Sequence, residues 1–226
     1  MSDLTGYTIA FDLDGTLVET AGDLHRALNQ VLAAEGLPPS SLDDVRSFVG
    51  QGARALVMRA FGVHGLLHTP DRIDRLTENY LAAYAADIAT LSRPMPGVIE
   101  ALDRLEAAGA TLCVCTNKRT DLSVQLLTVL GMQDYFEAIV GADAVKNRKP
   151  HPDHFVQAVR AAYGEPAKSV MVGDSVNDVL SAKAAGAPAA VYAHGYTDTA
   201  SELLGADAVF TQFTDLPDLL VRLLEV

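Results

Sequence analysis

Apolar residues gather along the chain in two different rhythms, and the change of rhythm divides the sequence. A short continuous run, "TIAF" in "YTIAFDLDGT", opens it and breaks off at Asp12. From about Thr20 to Ala89 the spacing is helical, with no convincing strand. It runs through "DLHRALNQVLAAEGLPP", "SLDDVRSFVG", "ARALVMRAFG" and "DRIDRLTENYLAAYAADI". Gly36-Leu37-Pro38-Pro39 and "FGVHGLLHTP" are the breaks expected between those helices. After "RPMPG" short apolar runs alternate with amphipathic stretches. "ATLCVCTN", "EAIVGAD", "SVMVGD", "AAVYAHG" and "DAVF" read as strands, with helices between them and "LPDLLVRLLEV" last. Continuous apolar strands separated by helices predict a parallel sheet covered on both faces. The expected architecture is an α/β, Rossmann-like core from residues 1–18 and 91–226. An all-helical module at 19–90 is inserted into it, and no internal repeat or low-complexity segment is present.

Composition narrows the function classes. Hydrophobic residues make up 49% of the 226 and charged residues 20%, the balance of a folded globular chain. A net charge of −12 repels nucleic acid and anionic lipid, so neither is expected as a partner. No apolar run approaches the roughly 20 residues of a membrane span, and "MSDLTGYTIA" lacks the marks of a secretory signal, so a cytoplasmic protein is expected. Cys113 and Cys115 alternate along one predicted strand and should share one buried face as reduced core residues. "GQGARA" at Gly50–Ala55 imitates a dinucleotide-binding turn, but it follows a helix rather than a strand. His64, His68, His151 and His154 have no convincing third ligand near them and read as surface or packing residues.

Polar residues sit where a parallel sheet binds its ligands, beyond the carboxyl ends of the strands. The first run ends in Asp12 and Asp14, the second in Thr116 and Asn117. "SVMV" ends in Gly173, Asp174 and Ser175, with Asp178 beyond, and the loop "KNRKPHP" adds Lys146, Arg148 and Lys149. Asp174, Ser175, Thr116 and Asn117 could each be helix caps. Asp12 and Asp14 are harder to explain that way, because two like charges at the end of a buried strand need a compensating partner. An oxygen-rich pocket of three aspartates suits a hard divalent cation, Mg²⁺ before any soft metal.

These four segments, "DLDGT" at Asp12–Thr16, "TN" at Thr116–Asn117, "KP" at Lys149–Pro150 and "GDSVND" at Gly173–Asp178, resemble the motif set of the haloacid dehalogenase-like hydrolase superfamily. The helical insertion is similar to the cap of the subclass that carries it after the first motif. The resemblance implies that Asp12 attacks phosphorus and becomes an aspartyl-phosphate, while Asp14 serves as general acid and then general base. It implies Mg²⁺ on the Asp12 carboxylate, the Asp14 backbone carbonyl and Asp174, with Asp178 supporting that set. Thr116, Asn117 and Lys149 would bind the phosphoryl group and Thr16 would orient Asp14. The phrases "SFVGQGARALVMRAF" and "RKPHPDHF" are most similar to the bacterial phosphoglycolate phosphatases. The substrate implied is a small phosphorylated metabolite, 2-phosphoglycolate first, with another sugar phosphate, pyrophosphate or a mutase reaction still open. Arg54 is a candidate for the substrate carboxylate. No chemistry is assigned to Glu19. A phospho-aspartate signalling receiver is the non-enzymatic alternative, but such domains are shorter and need no cap. Monomer and homodimer are both left open, and cap hinges are expected near Leu17–Thr20 and Ala89–Pro94.

Overall fold

A computed structural model describes residues 3–66, 69–197 and 199–225; His68, considered above, lies outside them. The chain opens with β1 (Thr8–Phe11) and β2 (Val18–Glu19). The helices α1 (Ala21–Ala34), α2 (Leu42–Phe48), α3 (Ala53–Val63) and α4 (Pro70–Ala86) follow. Next come β3 (Arg93–Pro94), α5 (Val98–Ala107), β4 (Thr111–Cys115), α6 (Thr120–Val129), β5 (Ala138–Val140) and α7 (Pro152–Ala161). The chain finishes with β6 (Ser169–Gly173), α8 (Val176–Ala184), β7 (Ala189–Tyr192), β8 (Ala208–Phe210) and α9 (Leu216–Leu223).

Six strands form one sheet in the order β5-β4-β1-β6-β7-β8, every neighbouring pair parallel. The central strand β1 is buried along its whole length, which is why it reads as an unbroken apolar run. Its side chains still alternate between two cores. Ile9 and Phe11 join Val114, Val172 and the leucines of α5, α6 and α9, whereas Ala10 joins Met171, Phe155 and Val179 of the α7/α8 face. Cys113 and Cys115 are free and lie together in that second core, where burial pushes the Cys115 thiol up to about 12.

The helical insertion has a core continuous with the first face. Leu24, Ala27, Leu28, Val31 and Leu32 repeat at helical spacing on α1 and pack with Leu76, Tyr80 and Tyr84 of α4. Ser41 and Asp44 form a capping box at the start of α2. Where the chain enters and leaves this module the sequence pattern predicts no strand, yet β2 and β3 pair antiparallel, Val18 with Pro94 and Glu19 with Arg93. Two residues are too few to show an alternation. The buried carboxylate of Asp23 fastens the exit to α1 by accepting from the backbone N–H groups of Leu91 and Ser92 and from the Ser92 hydroxyl. Among the described residues no helix is long and apolar enough to cross a membrane.

Candidate active site

The carboxyl ends of β1, β4 and β6 bring the predicted polar groups to one edge of the sheet. The Asp12 N–H still pairs with the Val172 carbonyl at 2.8 Å, so its carboxylate is carried by the strand itself. The chain then turns tightly, and Gly15 adopts φ +85°, a conformation costly for any side chain. A Cβ there would also lie 2.6 Å from Asp174 Oδ2. Asp174 follows β6, with Oδ2 accepting the Tyr196 N–H at 2.6 Å and Oδ1 accepting the Thr16 hydroxyl at 3.1 Å. Gly195 closes the other side of the carboxylate; a Cβ there would come within 2.1 Å of Asp174 Cβ.

Asp178 sits in the first turn of α8, where one oxygen takes the Ser175 N–H and hydroxyl. Its other oxygen accepts from Lys149 Nζ at 2.6 Å. The same ammonium lies 2.9 Å from Asp12 Oδ1 and donates to the Cys115 carbonyl at 2.6 Å. Asp12, Asp174 and Asp178 each offer one oxygen, all within 4.8 Å of one another. Burial is the main cause that raises Asp12 to about 6, opposed by Lys149, and it pushes Asp174 well above the carboxylate range, with Asp12 and Asp178 adding repulsion. Burial alone would lower Lys149, but the two aspartates outweigh it and hold the ammonium above its usual value. Three buried carboxylates against one buried cation leave the cluster short of positive charge. The donors are all oxygen, so the residues fit a hard divalent ion such as Mg²⁺.

Thr116 and Asn117 lie at the end of β4 as expected. Asn117 donates through Nδ2 to the Lys149 carbonyl at 3.0 Å and, across to the helical insertion, to the Gly50 carbonyl at 2.8 Å. Its buried Oδ1 has no hydrogen-bond partner. Asn177 of α8 also donates to the Gly50 carbonyl, at 3.3 Å. Asp12, Asp14, Thr116 and Asn117 floor a cleft of about 270 Å³, roofed by residues of the insertion including Gly52, Arg54, Tyr80 and Tyr84.

One placement differs from expectation. Thr16 turns its hydroxyl to Asp174 and not to Asp14, because the turn through Gly15 packs it against the end of β6. Asp14 stands apart from the acidic cluster, with Lys118 Nζ at 2.7 and 3.0 Å from its two oxygens. Arg54 does line the cleft, with its Nε on Asp74 at 2.7 Å. Sequence reasoning passed over Lys118, although it directly follows the Thr116-Asn117 pair. It also passed over Tyr196, whose hydroxyl donates to Glu19 at 2.5 Å and accepts the backbone N–H groups of Thr20 and Ala21 at the start of α1. Only the glycine before Tyr196 hinted at a close approach there. Glu19 likewise has a structural use, reaching Arg46 of α2 at 3.4 Å.

A family model for haloacid dehalogenase-like hydrolases matches residues 9–192. The chain is 48% identical to a phosphoglycolate phosphatase of Caulobacter vibrioides, over 99% of this chain and 94% of the relative. It is 45% identical to one of Agrobacterium fabrum, over 91% and 88%. Among solved structures, a predicted phosphoglycolate phosphatase from Haemophilus somnus superposes with a TM-score of 0.89 at 30% identity, covering 96% of this chain and 98% of that one. CbbY from Rhodobacter sphaeroides, in complex with phosphate, superposes at 0.77 with 26% identity over 93% and 96%. Carried on a parallel sheet with an inserted helical cap, the chain belongs to the haloacid dehalogenase-like hydrolases and is an enzyme of that family.

Proposed function

We propose that the protein is a Mg²⁺-dependent phosphomonoester hydrolase that works through an aspartyl-phosphate on Asp12 and converts 2-phosphoglycolate to glycolate and phosphate. The observation that carries this is the meeting of Asp12, Asp174 and Lys149 beneath a capped cleft. The names of the full-length relatives support the substrate. Asp12, Asp174 and the Asp14 backbone carbonyl would hold Mg²⁺, with Asp178 behind them, and the ion would supply positive charge against the carboxylates and the phosphoryl oxygens.

Asp12 attacks phosphorus in line with the ester oxygen. Lys149 keeps the nucleophile ionised and neutralises charge that builds on the phosphoryl group. The Thr116 hydroxyl and the Asn117 N–H bind phosphoryl oxygens. Asp14 gives its proton to the leaving glycolate oxygen, then takes one from the water that hydrolyses the aspartyl-phosphate, which restores both residues. The helical module, residues 19–90, closes over the cleft during chemistry and opens for release. The link from Asn117 and Asn177 to the Gly50 carbonyl supports this, since it ties the module to two core segments at the site.

The test is phosphate release across a panel of 2-phosphoglycolate, sugar phosphates, a sugar bisphosphate and pyrophosphate, with and without Mg²⁺, beside Asp12→Asn. The expected result is the highest kcat/KM on 2-phosphoglycolate, loss of turnover with chelator, and a fall of several orders of magnitude in the variant. A different ranking would remove the substrate. Sugar-phosphate interconversion without net release would point to a mutase.

A further inference from the structure

Among the described residues four cations line the cleft, and three of them already hold a carboxylate of the protein. Arg54 puts its Nε on Asp74 at 2.7 Å, with Met58 Sδ 3.2 Å from its Nη1. Arg119 grips Asp121 through Nε and Nη2 at 3.0 and 2.9 Å. Lys118 lies on both Asp14 oxygens, at 2.7 and 3.0 Å, with the Tyr84 ring 4.5 Å away on its other side. Arg148 is the fourth. Among the described residues its guanidinium has neither an ion-pair partner nor a hydrogen-bond acceptor. The remaining carboxylate of the lining, Asp143, turns one oxygen to the Thr120 N–H and hydroxyl at 2.7 and 2.9 Å and forms no ion pair with Arg148.

Arg148 directly precedes Lys149 in the loop between β5 and α7, and the two side chains diverge. Lys149 is 2% exposed and turns inward to Asp12 and Asp178. Arg148 is exposed and lines the cleft. Its carbonyl accepts the His151 N–H at 3.0 Å, which steadies the loop. Its guanidinium meets Gly52 of the insertion, where φ is +80°. A Cβ on Gly52 would lie 3.0 Å from Arg148 Nη1 and 3.3 Å from the Asn117 carbonyl. Glycine at 52 therefore leaves the guanidinium room beside the segment that carries Thr116 and Asn117. Elsewhere the lining includes Leu24, Val49, Leu56 and Leu81, which offer an anionic group nothing. In a chain of net charge −12, an unengaged cation at the cleft stands out as a place for an anion.

We propose that Arg148 receives the substrate's carboxylate and thereby sets a preference for phosphate esters with an acidic tail. This rests on the hydrolase and substrate assigned above. Consecutive Cα atoms stand about 3.8 Å apart, so two adjacent residues can serve the two ends of a two-carbon phosphate. Lys149 faces the phosphoryl group and Arg148 the carboxylate. A guanidinium matches a carboxylate through two parallel N–H donors. Arg54, Lys118 and Arg119 would each have to give up one carboxylate to take another, whereas Arg148 has no ion pair to break. The specificity contact then belongs to the core loop that carries the phosphate-binding lysine, and not to the helices of the insertion. A phosphate ester with no carboxylate loses this contact and keeps every contact to its phosphoryl group.

The experiment compares 2-phosphoglycolate with ethyl phosphate, which carries a methyl group where the substrate carries its carboxylate. It uses the wild type, Arg148→Met and Arg148→Lys. The wild type should prefer 2-phosphoglycolate in kcat/KM by at least about thirtyfold, the range of a charge-assisted hydrogen-bonded pair. In Arg148→Met, kcat/KM on 2-phosphoglycolate should fall about thirtyfold, chiefly through KM, while that on ethyl phosphate stays within about threefold. Arg148→Lys keeps the charge and loses the fork, so its preference should lie between the two. Competitive inhibition by glycolate should weaken at least about tenfold in Arg148→Met, while inhibition by inorganic phosphate stays within about twofold, which also reports an intact site. Equal losses on both substrates, or a parallel loss of phosphate inhibition, would make Arg148 a structural or phosphate-binding group and overturn the proposal. A lysine variant no better than the methionine one would also overturn it. A preference for 2-phosphoglycolate that survives in Arg148→Met would overturn it while leaving the assigned substrate standing. A wild type without that preference would remove both.

Discussion

Replacing Lys149 by methionine keeps the volume of a side chain that is 2% exposed and removes the only cation touching the acidic cluster among the described residues. Three contacts vanish at once: 2.9 Å to Asp12, 2.6 Å to Asp178 and 2.6 Å to the Cys115 carbonyl. Breaking a buried ion pair from one side costs about 3–5 kcal/mol, because the partner left behind remains buried and charged. The orphaned carbonyl adds roughly 1–3 kcal/mol, less whatever water recovers. Protonation is the escape, since burial already raises Asp12 to about 6 with the lysine present. In the variant Asp12 and Asp174 keep folded-state pKa values above their unfolded ones. Their penalty is therefore absent below about pH 4 and grows as pH rises through the folded value. Urea denaturation without Mg²⁺ should show Lys149→Met less stable than wild type by about 3–5 kcal/mol at pH 7.5, with a smaller deficit at pH 5.5. Turnover should drop by at least about a thousandfold. A deficit under about 1 kcal/mol that ignores pH would refute the reasoning, because the ammonium would then not be what keeps these carboxylates buried.

Gly195→Ala should force Asp174 aside, costing about 1–3 kcal/mol in thermal stability and raising the Mg²⁺ concentration needed for half-maximal activity. Unchanged melting and metal dependence would mean the close approach is not real. His154 accepts the Lys149 N–H on Nδ1 at 3.2 Å, so its Nε2 carries the proton and donates to the Val140 carbonyl at 3.1 Å. Burial, then Lys149, lowers its pKa to about 4. Because the folded value lies below the unfolded one, its contribution is complete above about pH 6.5 and is lost as pH falls toward 4, amounting to at most about 3 kcal/mol. Denaturation of wild type and His154→Gln across that window should show a pH-dependent component that disappears in the variant; parallel curves would contradict it. Arg54→Met should raise KM for 2-phosphoglycolate severalfold if Arg54 can leave Asp74 for the substrate, and an unchanged KM would confine it to that surface pair.

Much of this arrangement was legible before any coordinates, for reasons that differ residue by residue. Apolar runs buried on both faces announce their own strands, and β1, β4 and β6 each end in a polar group that a buried end would otherwise exclude. That places Asp12, Thr116 and Asp174 at one edge without knowledge of strand order. Side-chain direction is another matter. Thr16 faces Asp174 because of the turn at Gly15, and the lysine partner of Asp14 lies 104 residues away in sequence. Nothing in local pattern encodes those pairings. The two-residue ribbon of β2 and β3 escaped for lack of length, and Tyr196 escaped because a loop tyrosine has no periodicity to mark it. His154, placed as surface or packing, proves fully buried and bonded to the lysine loop.

The central claim is that Asp12 receives the phosphoryl group. Acid-quenching wild-type enzyme within the first turnover of labelled 2-phosphoglycolate in Mg²⁺, followed by peptide mapping, measures this directly. The account predicts an acid-stable, hydroxylamine-labile phosphate on the peptide containing Asp12, absent in Asp12→Asn. Rapid turnover with no label on the protein, or label on another residue, would contradict it.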